Sequence, residues 1–140
     1  MNQINLGRVL LAGLVAGVCL NIGEALLNEL VIGKQMAAAL QRMHVAPPGG
    51  LFVAVAVGLT FVMGIILVFL YALIRPRLGP GPKTAIVAGV IGWFGAYLYA
   101  GVIDGMLYSF PMSMIAIAIV WGLVQYSLSA IVGARLYTEA

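Results

Sequence analysis

Charge is the scarcest ingredient of this chain. Only 8% of its 140 residues are Asp, Glu, Lys or Arg, against about 25% in an ordinary soluble domain, so it cannot dress a water-facing surface. No clustered basic face is present to reach the phosphates of a nucleic acid. Cys19 is the only cysteine, which excludes an internal disulfide and leaves the redox compartment open. His44 is the only histidine, so the chain cannot supply paired axial ligands for a membrane haem, nor a His/Cys set for zinc. Neither metal nor cofactor is expected. No Gly-x-Ser-x-Gly elbow accompanies His44, and Gly79-Pro80-Gly81-Pro82 lacks the free N–H groups of a phosphate-binding loop. The expectation is a protein that is not an enzyme.

Apolar sequence takes the place of charge: 64% of residues are hydrophobic and the mean hydropathy is +1.13. A bilayer-spanning helix needs about 20 mostly apolar residues, and four stretches qualify, at about 6–32, 51–74, 84–110 and 111–134. An open sheet would leave unpaired edges in lipid, and the alternation of a barrel is absent. The expected fold is therefore all-α, an integral membrane bundle of four transmembrane helices forming one domain over 1–140. Ala16-Gly17-Val18-Cys19 faintly suggests a lipoprotein signal. Val18 is not the small residue such a signal wants, and the apolar stretch outruns a signal core. The first span is expected to be retained.

The connections differ in character. Residues 33–50 form the longest, in which Lys34 to Met43 suits a short interfacial helix with Met36, Leu40 and Met43 on one side, ended by Pro47-Pro48-Gly49-Gly50. The proline- and glycine-rich stretch 75–83 reads as a stiff basic turn that forbids helix continuation. The hairpin at Tyr108-Ser109-Phe110-Pro111 is short enough to make the last two spans antiparallel neighbours. Arg8, Arg75, Arg77, Lys83 and Arg135 fall on one side, Lys34 and Arg42 on the other, which puts both termini in the cytoplasm. Arg75, Arg77 and Lys83 would then face anionic headgroups.

Small residues that allow close backbone approach hold helices together in lipid. Gly13 and Gly17 provide them in the first span, and Ala88, Gly92, Ala96, Ala100, Gly101 and Gly105 in the third. The fourth offers Ala118/Gly122 and Ser129/Gly133. Bundle packing is the simpler use of these faces; a seam between copies is the other.

Polar residues inside the spans are the most informative feature. At helical periodicity, Gly13, Gly17, Asn21, Glu24 and Asn28 share one arc, while Glu29 lies off it near the helix end. Trp93, Tyr97, Ala100, Asp104 and Tyr108 share a face of the third span, and Trp121, Gln125 and Ser129 one of the fourth. The second span carries only Thr60 and reads as the most lipid-exposed. Glu24 and Asp104 differ in depth by roughly 3 Å at 1.5 Å per residue, with no Lys or Arg inside the spans beside them. Three outcomes are open. A carboxyl kept neutral by desolvation could donate to Asn21, Asn28 or Tyr97. The acids and amide oxygens could bind a cation, or the acids could line a wet vestibule and meet Lys34, Arg42 or a partner. Intramembrane ionisable groups are functional candidates, although Asn28, Gln125 and Ser129 serve equally as interhelical glue. Trp93, Tyr108 and Trp121 would fill the core or line an aromatic cleft.

The segment 70–84, Leu-Tyr-Ala-Leu-Ile-Arg-Pro-Arg-Leu-Gly-Pro-Gly-Pro-Lys-Thr, together with Asn21-Ile22-Gly23-Glu24, resembles uncharacterised small bacterial four-helix membrane proteins. That resemblance implies a bacterial cytoplasmic membrane but no activity. The chain is also superficially similar to small multidrug-resistance transporters, which have four helices and an essential Glu in the first. It departs from them in a longer loop, a Glu24 nearer the outer side and a second acid, Asp104. The leading functional expectation is an accessory or structural subunit, working among membrane lipids as a homo-oligomer or within a larger complex. The alternatives are a proton- or cation-coupled transporter using Glu24 and Asp104, or a protein that binds lipid or another small ligand.

Overall fold

The computed structural model describes residues 3–139. It is all-helical among those residues: α1 (Leu6–Val31), the short α2 (Gly33–Arg42), α3 (Gly50–Leu78), α4 (Pro82–Tyr108) and α5 (Met112–Leu136). Four of the five, all but α2, are long and apolar enough to cross a membrane. They run up and down, so one end of the bundle carries both termini and the α3–α4 linker. The opposite end carries α2 and the α4–α5 hairpin.

Local chemistry sets the helix boundaries. The Asn5 side chain accepts from Arg8 N–H at 3.1 Å and caps α1, satisfying one of the free donors of the first turn. Pro82 stands in the first turn of α4, where a missing N–H costs nothing. Ser109, in the left-handed region at φ 53, turns the chain from α4 towards α5, with Phe110 N–H donating to Gly105 C=O at 3.1 Å. The stretch 75–83 is not all turn, as its prolines suggest, because α3 continues through Arg75-Pro76-Arg77 to Leu78. Pro76 lies in the last turn, where its missing N–H forfeits a single intrahelical bond. The helix stops instead at Gly79, at φ 83, whose N–H donates to Arg75 C=O at 2.8 Å. Thr84 Oγ1 then donates to Gly79 C=O at 2.7 Å, and Gly81 N–H to the Tyr71 hydroxyl at 3.2 Å, which ties the linker to the bundle.

Because the long helices are apolar on nearly every side, amphipathicity does not choose their neighbours; close backbone approach does. The tightest approach is between α1 and α3. A Cβ on Gly64 would collide with the backbone of Gly13 and Gly17, while Gly13 abuts Ile65 and Gly17 abuts Phe61. This corrects two expectations. The glycine stripe of α1 faces α3, and only the polar part of the arc, from Gly23 onwards, turns towards α4 and α5. The second span is accordingly no bystander. It is the main neighbour of α1, and its most apolar stretch is 17% buried, against 11% for that of α4.

Between α4 and α5 the contact is made at Gly89, beside the Tyr126 carbonyl and Ser127, and at Gly92, beside Leu67 and Tyr126. Gly105 meets Ile115, and Gly133 meets Val68 and Ala16. Ala88 and Ser129 are buried in this half; Ala96 packs against the Leu20, Leu67 and Tyr126 cluster and, with Ala100 and Gly101, also lines a cavity. The core near the termini is built on Val9, Ala12, Ala16, Val68, Ala85, Ala88 and Ala130. Larger side chains, Leu27, Ile32 and Met114, form the core at the other end.

Substituting Gly64 by Ala should destabilise the protein by about 1–3 kcal/mol, the usual cost of overpacking a tight contact. Gly58, beside which a Cβ meets nothing within 4 Å, should tolerate Ala without loss. Equilibrium unfolding of both variants in the same detergent checks the contrast.

Candidate functional site

Glu24 sits in the half of the bundle remote from the termini, and α4 and α5 each send it a donor. The Tyr97 hydroxyl donates to Oε1 at 2.5 Å, and Gln125 Nε2 donates to the same oxygen at 2.7 Å. Gln125 Nε2 also donates to the Tyr97 oxygen at 3.0 Å, which closes a three-membered ring of hydrogen bonds. Trp121 Nε1 donates to Gln125 Oε1 at 3.0 Å and to Gly23 C=O at 3.1 Å. Indole N–H only donates, so Trp121 fixes which end of the Gln125 amide faces it and which faces Glu24. The Tyr97 hydroxyl and the Gln125 amide both direct a donor at Glu24 Oε1, and Trp121 holds Gln125 in the orientation that allows it.

Glycine makes this approach possible. A Cβ on Gly23 would occupy the place of the Gln125 amide oxygen, and one on Gly122 would run into the Tyr97 ring. Tyr97 is further held edge-on against Tyr126, with ring centroids 5.7 Å apart. Gly122 belongs to the Ala118/Gly122 pair that the spacing offers for packing, whereas Gly23 does not stand out among the 18 glycines of the sequence.

Both helices that flank the cavity depart from α-geometry beside it. Leu27–Val31 and Phe94–Tyr99 are π-helical turns, with i→i+5 hydrogen bonding. Such turns are rare and concentrate at functional sites. The first follows Glu24 directly; Asn28 Nδ2 donates to the Glu24 carbonyl at 2.8 Å and lies 3.4 Å from Oε2. The second contains Tyr97 and shifts the register of everything after it, which breaks the single face expected for Trp93 to Tyr108. Ala96, Tyr97, Ala100, Gly101 and Asp104 face the cavity, whereas the exposed Tyr108 stacks on Phe110 with centroids 5.8 Å apart. Trp93 Nε1 donates to Ile119 C=O at 2.8 Å and joins α4 to α5 outside the cavity wall.

The cavity has a volume of about 440 Å³, within the usual span for small-ligand sites. Its polar groups are Glu24, Asn28, Thr60, Tyr97, Asp104 and Tyr126; its apolar walls include Leu27, Ile32, Met36, Phe110, Met114 and Ile119. Two of the chain's four carboxylates face it, and no Lys, Arg or His does. The two acids share a cavity without sharing a hydrogen bond. Glu24 is half-buried and fully engaged, while Asp104 is exposed and makes no hydrogen bond among the described residues. Thr60 is satisfied within its own helix by Ala56 C=O at 2.8 Å.

Other expected site residues lie elsewhere. Asn21 donates back to Gly17 C=O at 2.9 Å and lies 3.5 Å from Val57 C=O of α3, outside the cavity. Ser129 is 1% exposed and lies outside the cavity lining. Glu29 is exposed and off the site, and His44 is exposed in the loop at φ 55. No group of three or more His, Cys, Asp or Glu able to hold a metal occurs among the described residues. At the other end, Arg77 and Lys83 are exposed, but Arg75 is half-buried and pairs with Glu139 at 3.1 Å.

Tyr97→Phe removes one of two donors to a half-buried carboxylate and should cost about 1–3 kcal/mol. Tyr108→Phe, at an exposed ring outside the network, should cost nothing measurable. Thermal unfolding of the two variants side by side reads the difference, and a double-mutant cycle with Gln125→Leu should show strong coupling at Tyr97 alone.

Comparison with protein-family models, with curated proteins and with solved structures returns no match, so the reading of this site rests on its own chemistry.

Proposed function

We propose that this chain is a non-enzymatic integral membrane protein whose Glu24-centred cavity binds a small positively charged ligand. The observation that carries this reading is the charge of the cavity: Glu24 and Asp104 face it with no basic side chain beside them. A carboxylate in a poorly solvated site needs a counter-charge or dense hydrogen bonding. Glu24 has the second on Oε1, from Tyr97 and Gln125, and turns Oε2 towards Asn28. The apolar walls suit a cation with an apolar body, such as an alkylated amine, better than a bare divalent ion. At 4 Å and an effective dielectric constant near 20, each carboxylate–cation contact contributes about 4 kcal/mol before desolvation is subtracted.

The membrane setting belongs to the same proposal. Side chains such as Leu30, Leu51, Phe52 and Val120 are more than half exposed, a surface that suits lipid and not water. With Arg8, Arg75, Arg77, Lys83 and Arg135 at the end that bears the termini, against Lys34 and Arg42 at the other, we place both termini in the cytoplasm of a bacterial cell. The cavity then lies in the outer half of the membrane.

A second reading keeps the accessory-subunit expectation. Ala56, Thr60, Ala96, Ala100 and Gly101 give the cavity a wall of small residues, which a transmembrane helix of a partner could pack against.

The two readings separate in one experiment. The full chain in lipid nanodiscs is titrated with tetraalkylammonium ions of increasing chain length, followed calorimetrically. The ligand reading expects saturable binding that Glu24→Gln weakens by at least about tenfold, or about 1.4 kcal/mol, and Asp104→Asn by less. No binding in any member of the series overturns it, and stoichiometric co-purification of one partner protein, lost on Ala100→Leu, installs the accessory reading.

A further inference from the structure

A second pocket, of about 230 Å³, lies at the terminus-bearing end between the last turns of α3 and α5 and the α3–α4 linker. We infer that it is a binding site for a phosphate-bearing anion, held by Arg75 and Arg135.

Both arginines line the pocket, and among the described residues no carboxylate does. Its aromatic walls are fixed. Tyr71 and Tyr137 meet edge to face with centroids 6.1 Å apart, Tyr137 is 5% exposed, and the Tyr71 hydroxyl accepts from Gly81 N–H. Pro80 and Pro82 stiffen the rim. The Arg75 guanidinium lies 5.8 Å from the centre of the Tyr137 ring, so packing and cation–π attraction orient it before any ligand arrives.

The chain itself demonstrates the affinity of this place for an oxyanion. Glu139, three residues beyond α5, brings its carboxylate to within 3.1 Å of Arg75 Nη1. The contact is ionic but poorly angled, since the same buried nitrogen makes no hydrogen bond among the described residues. A buried donor without an acceptor is costly. A phosphate group, with three or four oxygens where Glu139 offers two, can meet Arg75 in line and engage Arg135 as well. Glu139 then acts as a tethered competitor, present at an effective concentration in the millimolar range. Only an anion that gains from both arginines displaces it. Arg77 and Lys83, exposed on the same linker, supply attraction without a pocket.

The anion could be the headgroup of an anionic phospholipid, whose acyl chain would run over Ile131 and the exposed Leu128 one turn deeper, or free phosphate. Native mass spectrometry of the full chain from nanodiscs holding phosphatidylglycerol and phosphatidylcholine tests the first source. Calorimetry with inorganic phosphate tests the second. The inference expects selective retention of phosphatidylglycerol or saturable binding of phosphate. Arg135→Gln, at an exposed side chain that folding does not need, should lower that binding about tenfold, as should Arg75→Gln. Glu139→Gln should raise it several-fold by removing the competitor. Arg8→Gln removes the same charge from the same end outside the pocket, and should change it by less than about twofold. Neither probe binding, or Arg8→Gln matching Arg135→Gln, overturns the inference; the cation titration of the Glu24 cavity stands apart from either result.

Discussion

A carboxylate set among apolar helices must draw hydrogen-bond donors from whatever packs against it, and Glu24 draws its two from two different helices. That demand orders this half of the bundle. Tyr97 and Gln125 must converge on one oxygen, so α4 and α5 must approach α1 at a fixed depth and rotation. Gly23 and Gly122 are the positions where a side chain would keep them apart. Trp121 then locks the amide of Gln125 in the only orientation that offers Glu24 a donor. Helices whose surfaces are greasy all round have little else to fix their rotation, and a directional polar network supplies it.

The other half is held by a different device. Gly13, Gly17 and Gly64 let α1 and α3 touch backbone to backbone, and the alanines around them fill the remaining space. This half opens only into the smaller pocket at its end, between α3, α5 and the α3–α4 linker, while the Glu24 half holds the larger of the two cavities. The two π-turns mark the difference. Each inserts extra backbone beside the cavity, which rotates Asn28 on one helix and the Ala100–Asp104 segment on the other towards it. A straight pair of α-helices with this sequence would distribute those polar groups differently, so the irregular turns are part of how the site is made.

Which of this could be read from the sequence follows from the range of each signal. Span number and bounds come from runs of apolar residues, a local property, and α1 and α5 lie close to where those runs place them. Helical periodicity put Glu24, Tyr97 and Gln125 each on a polar face of its own span, because a buried polar group has to face another, but it did not join Gln125 to Glu24. The face of Gly13 was not legible. Periodicity placed Gly13 and Glu24 on one arc, but an arc three turns long meets two neighbours, and Gly64 in the otherwise featureless α3 was the unseen partner. The π-turns broke the faces assumed for Tyr108 and Trp93, since a period of 3.6 cannot anticipate an inserted residue. Pro76 misled for a related reason: its effect depends on where in the helix it falls, and one turn from the end it is harmless.

The placement of the few charges carries the reasoning one step further. Four carboxylates and seven basic residues are present, yet the one ion pair resolved among the described residues joins Arg75 to Glu139, at the end where positive charge predominates. At the other end Glu24 and Asp104 line a cavity without a cation of their own, although Lys34 and Arg42 belong to the adjoining α2. A sequence this sparing of charge had the simplest means of neutralising Glu24, a lysine one helical turn away, and has instead leucine and asparagine at those positions, Leu20, Asn21, Leu27 and Asn28. Hydrogen bonds from Tyr97 and Gln125 steady the Glu24 carboxyl group but bring it no counter-charge. An uncancelled charge on a preorganised wall attracts an opposite charge from outside the chain, whereas a neutral glue residue such as glutamine would hold the helices equally well. Retaining the acid where the amide would suffice for packing is the physical reason to look for a ligand at Glu24.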